Sequence, residues 1–442
     1  MTKKIGFISL GCAKNLTDTE TMLGILSKEG YTITSDEKEA DVIVVNTCAF
    51  IDSAKEESIG AILEMAELKK EKCELLIVTG CLAQRYKDDI ITELPEVDII
   101  LGTTDYALIA DAIKAFYDKG KKLCFVSDEN NLVSYDLPRV QSTPKYTAYL
   151  KIADGCDNFC TYCIIPKLRG KFRSRPVKSI IEEAKRLAKS GVKELILVAQ
   201  DTAKYGLDLP EKTNLSELIR KITALDSVGA VRLMYCYPEN LTDELIVEIK
   251  NNDKVIKYID IPLQHADDKV LKLMNRKGTG AGYLELINKL KTEIPDIAIR
   301  STFITGFPRE SEQAFNNLVD FIKKAKLFNA GFFAYSREEG TPAYRLDGQI
   351  DEKIKQKRLK KLYSVQQKVV EETNEQFIGK VLTVTAEGFD QNEMVYFGRA
   401  YFNAPDIDGK VYFFSAEEVE RGESYQVKIT QITGYDLYGE RL

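Results

Sequence analysis

Along residues 1–122, short continuous apolar runs alternate with longer stretches of helical spacing. The runs are IGFISL, DVIVVN, LLIVT and VDIILG. Such alternation predicts an open parallel sheet with helices on its faces, an α/β arrangement. Residues 123–145 contain SDENNLVSYDLPRVQSTPK, which has two prolines and no periodicity and is expected to be a linker. From Tyr146 the alternation resumes with six strand-like runs: TAYLKI, ELILVA, AVRLMY, YIDIPL, IAIRSTFI and AGFFAY. Six βα units are too few to close a barrel, so residues 146–373 are expected to form a partial (β/α)6 barrel with its chemistry at the C-terminal strand ends. A charged helix, DEKIKQKRLKKLYSVQQKVVEETNEQF, should pack back along this barrel through Ile354, Leu362, Val365 and Val369, and Gly379 should stop it. Residues 374–442 offer five short runs, KVLTVTA, EMVYFGRAYF, KVYFF, YQVKIT and YDLYGE, broken by turns such as APDIDGK. That pattern predicts a small antiparallel β-barrel.

At 442 residues the chain is long enough for two or three cores. It opens on MTKKIGFISLGC without a cleavable apolar region, and no run approaches the roughly 18 apolar residues of a membrane span. A cytoplasmic protein without a membrane partner is expected. The net charge of -6 disfavours an indiscriminate polyanion binder. Nine cysteines, an odd number and clustered, favour metal or redox chemistry in a reducing compartment over disulfides.

The stretch GCDNFCTYCIIPKLRG, residues 155–170, holds Cys156, Cys160 and Cys163 in the spacing C-x3-C-x2-C, directly after the strand TAYLKI. Zinc sites prefer four ligands and C-x2-C pairs, so this trio makes a poor zinc finger; inert buried thiols or a structural zinc are the competing readings. Thiolates also suit iron-sulfur clusters, and a 4Fe-4S cubane held by three cysteines keeps one iron open for a small molecule. A second constellation is less obvious. ISLGC, VVNTC and IVTGC each run from a strand through one or two residues to a cysteine, at Cys12, Cys48 and Cys81. Parallel strands end at one edge, so these thiols should converge there as ligands of a second cluster. The plain alternative is that cysteines are common buried residues near strand ends. Cys73, Cys124 and Cys236 lack such company and are expected only to pack.

The central motif resembles the radical S-adenosylmethionine (SAM) superfamily. That resemblance implies a cluster whose open iron chelates SAM and delivers an electron, releasing a 5′-deoxyadenosyl radical. It also places Tyr162 beside the adenine. Preceded by a tri-cysteine domain and followed by a β-barrel like a TRAM domain, the chain resembles the methylthiotransferases over essentially its whole length. The resemblance implies two 4Fe-4S clusters, one presenting sulfur and one cleaving SAM, together with a second SAM as methyl donor, a sulfur source and a reductant protein. SLGCAKNLTDTE, DIPLQHA, APDIDGKV and YDLYGE resemble the branch that modifies an aspartate of small-subunit ribosomal protein twelve. The competing branch acts on isopentenyladenosine of transfer RNA and typically carries GCQMN. Residues 374–442 hold twelve acidic against six basic residues, a balance that attracts a basic protein and repels an RNA backbone. A merely solvated acidic surface is the bland reading of that charge. A non-catalytic iron-sulfur or zinc nucleic-acid-binding module is the reading from outside the enzymes.

His265, the only histidine, follows YIDIPL and faces either the mouth, near SAM or substrate, or the structural interior. Arg169, Arg173 and Arg175 follow the cysteine loop and are candidates for carboxylate groups of SAM or substrate. The family resemblance assigns SAM contacts near Gln200, Asp201, Arg300 and Gly306. After Gly306 the chain reads FPRES where the family usually has FPGET, which puts backbone approach to the cofactor at Arg309 in doubt.

Overall fold

The computed structural model describes residues 3–131 and 134–442. The first sheet comprises β1 (Lys4–Ser9), β2 (Thr32–Thr34), β3 (Val42–Thr47), β4 (Leu75–Gly80), β5 (Ile99–Leu101) and β6 (Leu123–Phe125). Its order is β2-β1-β3-β4-β5-β6 and every pairing is parallel. β3 and β4 are buried at every position, as strands covered on both faces must be. The expected end of this unit at residue 122 is too early: LCF adds β6 as an edge strand, too short to leave a periodic signal. The expected linker is also less free than its composition implies, although its Leu132 and Val133 lie outside the described residues. Arg139 is buried against Glu20 and Glu183, and Glu20 also accepts from Ser142 N at 2.6 Å. The segment is a strap across both units.

The central unit begins with β7 (Thr147–Lys151), followed by a small ribbon of β8 (Ala153–Asp154) and β9 (Arg173–Ser174). β10 (Glu194–Val198), β11 (Ala230–Leu233), β12 (Val255–Asp260), β13 (Ala298–Thr305) and β14 (Asn329–Ala334) complete it. The sheet order β14-β13-β12-β11-β10-β7 is all parallel and open. Alternation along each strand divides the side chains. Leu150, Leu195, Leu197, Leu233, Ile259 and Phe303 face the helical shell. Ile196, Val198, Met234, Tyr258 and Ala298 face the concave side. The trailing helix, Glu352–Asn374, packs on β14, and Leu362, Val365 and Val369 are buried as expected. Ile354 is not: it is 45% exposed, because Lys355 and Arg358 take the inward face there and bind the Tyr335 and Glu310 carbonyls.

The last unit closes into a barrel of β15 (Val381–Asp390), β16 (Val395–Arg399), β17 (Val411–Phe414), β18 (Ser424–Thr433) and β19 (Asp436–Arg441). An odd number of strands cannot alternate all the way round, so one pairing, β17 with β19, is parallel in an otherwise antiparallel barrel. This barrel fills the concave side of the central sheet, where Phe377, Phe402 and Ala404 join the cluster containing Ile196 and Tyr258. Buried charges set its position. Glu194 accepts from Arg232 Nε at 2.6 Å and Arg399 Nη2 at 3.0 Å, and Arg399 Nε also meets Glu387 at 2.7 Å.

Arg399→Ala takes the cation from Glu387 and leaves Glu194 with Arg232 alone in that interface, and is expected to destabilise the chain by about 3–5 kcal/mol, read from the urea-unfolding midpoint. Acidification acts on the same lattice. Burial favours the neutral acid, but Arg232 and Arg399 override it and hold Glu194 down to about 2 from its ordinary 4.5. The stabilisation is complete above about pH 4.5 and is lost as pH falls to about 2, about 3 kcal/mol in all, so urea midpoints should decline through that window.

Candidate active site between two cysteine trios

Strand register brings the first trio together. Ser9 pairs with Asn46 and Asn46 with Thr79, so the loops carrying Cys12, Cys48 and Cys81 leave one rim at one level. The glycines before two of them are required by crowding. A Cβ on Gly80 would lie 2.4 Å from Asn46 Oδ1, and one on Gly11 would lie 3.0 Å from Cys48 Cβ and 3.3 Å from its sulfur; both glycines have φ near +90°. Asn15, in the first helix, α1 (Ala13–Lys28), ties the rim together by donating to the Leu10 and Thr47 carbonyls. Its Oδ1 lies 3.9 Å from Cys81 Sγ.

The second trio occupies the loop after β7 and β8. Cys156 N donates to Gly170 O at 3.1 Å and Cys163 N to Cys160 O at 3.0 Å. Phe159 takes φ +48°, and Asn275 Nδ2 donates to its carbonyl at 3.0 Å. Buried Asp201 accepts from Asn158 at 3.1 Å and Asn240 at 2.7 Å, fastening this loop to the next strand end.

The sulfurs of each trio act on one another, a grouping that suits an iron cluster. Burial and mutual repulsion push Cys81 up to about 12 and Cys156 up to about 11, and raise Cys48 and Cys163. Cations work against that burial. Lys14 and Arg169 together bring Cys12 below its ordinary value, and Arg276 Nη1 stands 4.0 Å from Cys160 Sγ. Thiols crowded this way are deprotonated by a metal that binds them. Among the described residues no three ligand groups close on a point suited to one ion. A cubane takes one cysteine per iron, and its ligands stand further apart than those of a single ion.

A buried polar chain joins the trios. Arg169 Nη2 donates to Asn15 Oδ1 at 2.6 Å and Asp18 Oδ2 at 2.9 Å, while Nη1 reaches Asp154 Oδ2 at 3.0 Å. Lys151 pairs with Asp18 and lies 3.4 Å from Asp154. Asp154 precedes Cys156 by two residues. Beside this chain lies a cavity of about 220 Å³, lined by Cys12, Ala13, Tyr149, Met234, Tyr235 and Asp406 among others.

The other expected residues divide. Gln200 Nε2 donates to Asp154 Oδ1 at 2.9 Å, and its buried Oε1 has no partner among the described residues, leaving an acceptor beside the cysteine loop. Tyr162 is half-buried among Leu273, Phe307 and Tyr335. Arg300 lies on the concave side, 3.0 Å from Asp260 Oδ1 and 3.3 Å from Asp408 Oδ1 of the last barrel. Arg173 binds the carbonyls of its own loop, and Arg175 is spent on Glu183, Ser179 and Lys151 O. Gly306 is enclosed: its N–H is held by Glu310, and a Cβ there would meet Lys355 Cγ at 2.3 Å. Arg309 keeps the left-handed backbone a glycine would take, at φ +64°, with N bonded to Gly348 O and its side chain turned out to Asp347. Cys73 and Cys236 are buried, but Cys124 is exposed on the β6 edge and does not pack. Sequence reasoning missed Arg276 and Lys14, both buried cations beside cysteines. Lys14 had a signal, its place in CAKN; Arg276 had none.

Three stretches match family models: residues 4–102 an uncharacterized protein family, UPF0004, residues 150–322 the radical SAM superfamily, and residues 378–442 the TRAM domain. The ribosomal protein uS12 methylthiotransferase RimO of Acetivibrio thermocellus is 50% identical, covering 100% of this chain and 98% of its own. That of Clostridium botulinum is 51% identical over 99% of this chain and 98% of its own. The chain belongs to the RimO family. It is a radical SAM methylthiotransferase, and membership implies a 4Fe-4S cluster and SAM. Solved structures of similar fold include the radical SAM methyltransferase TsrM from Kitasatospora setae, at TM-score 0.57 and 14% identity over 78% of this chain and 77% of that one. The cobalamin-dependent radical enzyme OxsB follows at 0.54 and 13% over 89% and 64%. Among the described residues no helix is long and apolar enough to cross a membrane.

His265 is fully buried, with Nδ1 accepting from Asp267 N at 2.9 Å and Nε2 without a partner among the described residues. Burial, only partly offset by Asp267, pushes it down to about 3 from 6.5. As the single histidine, its NMR signals are expected not to titrate between about pH 5 and about pH 9, while unfolded chain takes up a proton as pH falls through about 6.5, lowering stability there. A titration midpoint near the ordinary value would contradict this burial.

Proposed function

We propose that the chain attaches a methylthio group to the β-carbon of an aspartate of ribosomal protein uS12, using two 4Fe-4S clusters. The observation that carries this reading is the pair of cysteine trios joined through Asn15, Arg169 and Asp154. Cys12, Cys48 and Cys81 would hold one cluster and Cys156, Cys160 and Cys163 the other. Bound clusters and SAM supply the one-electron chemistry and the sulfur and methyl of the product.

The chain's own residues do the rest. Arg169 and Arg276 offset the negative charge of thiolate-bound iron, a role suited to a buried guanidinium. Tyr162 packs along the SAM-binding loop, Gln200 Oε1 offers SAM an acceptor, and Arg300 borders the site from the concave face. Gly306 shapes the loop behind it, since Glu310 already takes its N–H. The division into a first unit running on through β6 to Phe125, a second of 146–373 and a third of 374–442, with a strap between the first two, assigns sulfur delivery to the first unit, radical generation to the second and substrate capture to the third. The acidic last barrel supports a basic protein partner over RNA. A reductant protein and a sulfur source complete the cytoplasmic system.

Reconstituted protein is expected to bind about eight irons, and Cys12→Ala or Cys156→Ala about four each. Cys156→Ala should abolish SAM cleavage. Cys12→Ala should cleave SAM and transfer no sulfur. Mass spectrometry of uS12 and of transfer RNA after incubation with reduced enzyme and SAM identifies the acceptor; a methylthio group gained by transfer RNA alone would sink the substrate assignment.

A further inference from the structure

Lys14 is 7% exposed, and its nitrogen stands over the face of the Tyr235 ring, 3.5 Å from the centre. The neighbouring buried charges are already matched. Arg169 and Lys151 share Asp18 and Asp154, two cations on two carboxylates, and Asp260 is taken by Arg300. Arg276, at the other trio, has the Pro262 carbonyl at 2.7 Å as well as the Cys160 thiol. Lys14 has no such bond. Its anionic neighbours, the Cys12 sulfur and Asp260, are shared with Arg169 and Arg300, and a buried ammonium that makes no hydrogen bond among the described residues is held at a cost that an arriving anion offsets.

Its position says which anion. Lys14 is two residues from Cys12 at the start of α1, and Tyr235, whose ring it covers, lies just past the end of β11. Cys12 and Tyr235 line the same cavity. Tyr235 holds φ +59°, and its N donates to Asp260 Oδ2 at 3.1 Å, which fixes the ring at the barrel mouth. The ammonium therefore stands between the first trio and the mouth of the barrel that carries the second.

We propose that Lys14 binds the side-chain carboxylate of the acceptor aspartate and so selects an acidic residue for modification. This rests on the substrate reading above. The contact is a charge-assisted hydrogen bond from the ammonium, with the Tyr235 face holding the lysine stem in place.

The test is a binding cycle on anaerobically reconstituted enzyme. The acceptor residue of uS12 is first mapped by mass spectrometry, then changed from Asp to Asn. Wild-type enzyme is expected to bind the Asn protein between about ten- and about hundredfold more weakly, the range given by a hydrogen bond to a charged group. K14M should bind both forms alike, and K14R should restore part of the discrimination. Equal affinity of wild type for the two forms overturns the proposal, without needing a variant to fold. So does K14M keeping the wild-type ratio, or a K14M defect confined to SAM affinity measured alone. If wild type transfers no methylthio group to uS12, the substrate reading itself has failed, an outcome distinct from a uS12 that is modified but bound without regard to its carboxylate.

Discussion

One guanidinium holds the catalytic architecture together. Arg169 belongs to the second cysteine loop, yet two of its donors reach Asn15 and Asp18 in the helix after Cys12, while the third reaches Asp154. A planar, permanently charged fork makes these bonds in fixed directions, which a lysine would not. Because the lattice is dry, its charges must balance locally, and Lys151 completes it. The two cysteine loops cannot move apart without exposing unpaired charge.

The same logic explains the motif after Cys12. In CAKNLTDTE, Lys14, Asn15, Asp18 and Glu20 are all buried polar residues on a helix, an arrangement that a surface helix would never favour. Each serves a boundary. Asn15 closes the rim, Asp18 meets the barrel, Glu20 catches the strap through Arg139, and Lys14 faces the mouth. The last barrel is set by a parallel device, with Glu194, Arg232 and Arg399 buried where apolar contacts alone would allow sliding. Interfaces built from hydrogen-bonded charge fix register, and they hold the two cysteine trios at a fixed separation.

Much of this was legible in the chain because it depends on local periodicity. Unbroken apolar runs announced the parallel strands, and six βα repeats announced an open sheet. A shared strand-then-cysteine pattern sufficed to group Cys12, Cys48 and Cys81, since parallel strands end on one side whatever their order. Short or edge elements left no such trace: β6 was read as linker, and Ile354 as inward-facing. His265, at the end of a strand, stood equally for mouth or interior until packing buried it.

What the chain alone determined, then, is the class of element, the family of chemistry and the grouping of six cysteines into two trios, all encoded in local patterns of residues. What tertiary structure decided is the partnering of buried charges: that Arg169 joins the lattice, that Arg175 is spent on Glu183, that Arg276 stands beside Cys160, and that Lys14 lies on the Tyr235 ring. Those choices join residues far apart in the chain. Coulombic energy in a dry interior depends on distance and burial, and neither is written in the order of residues.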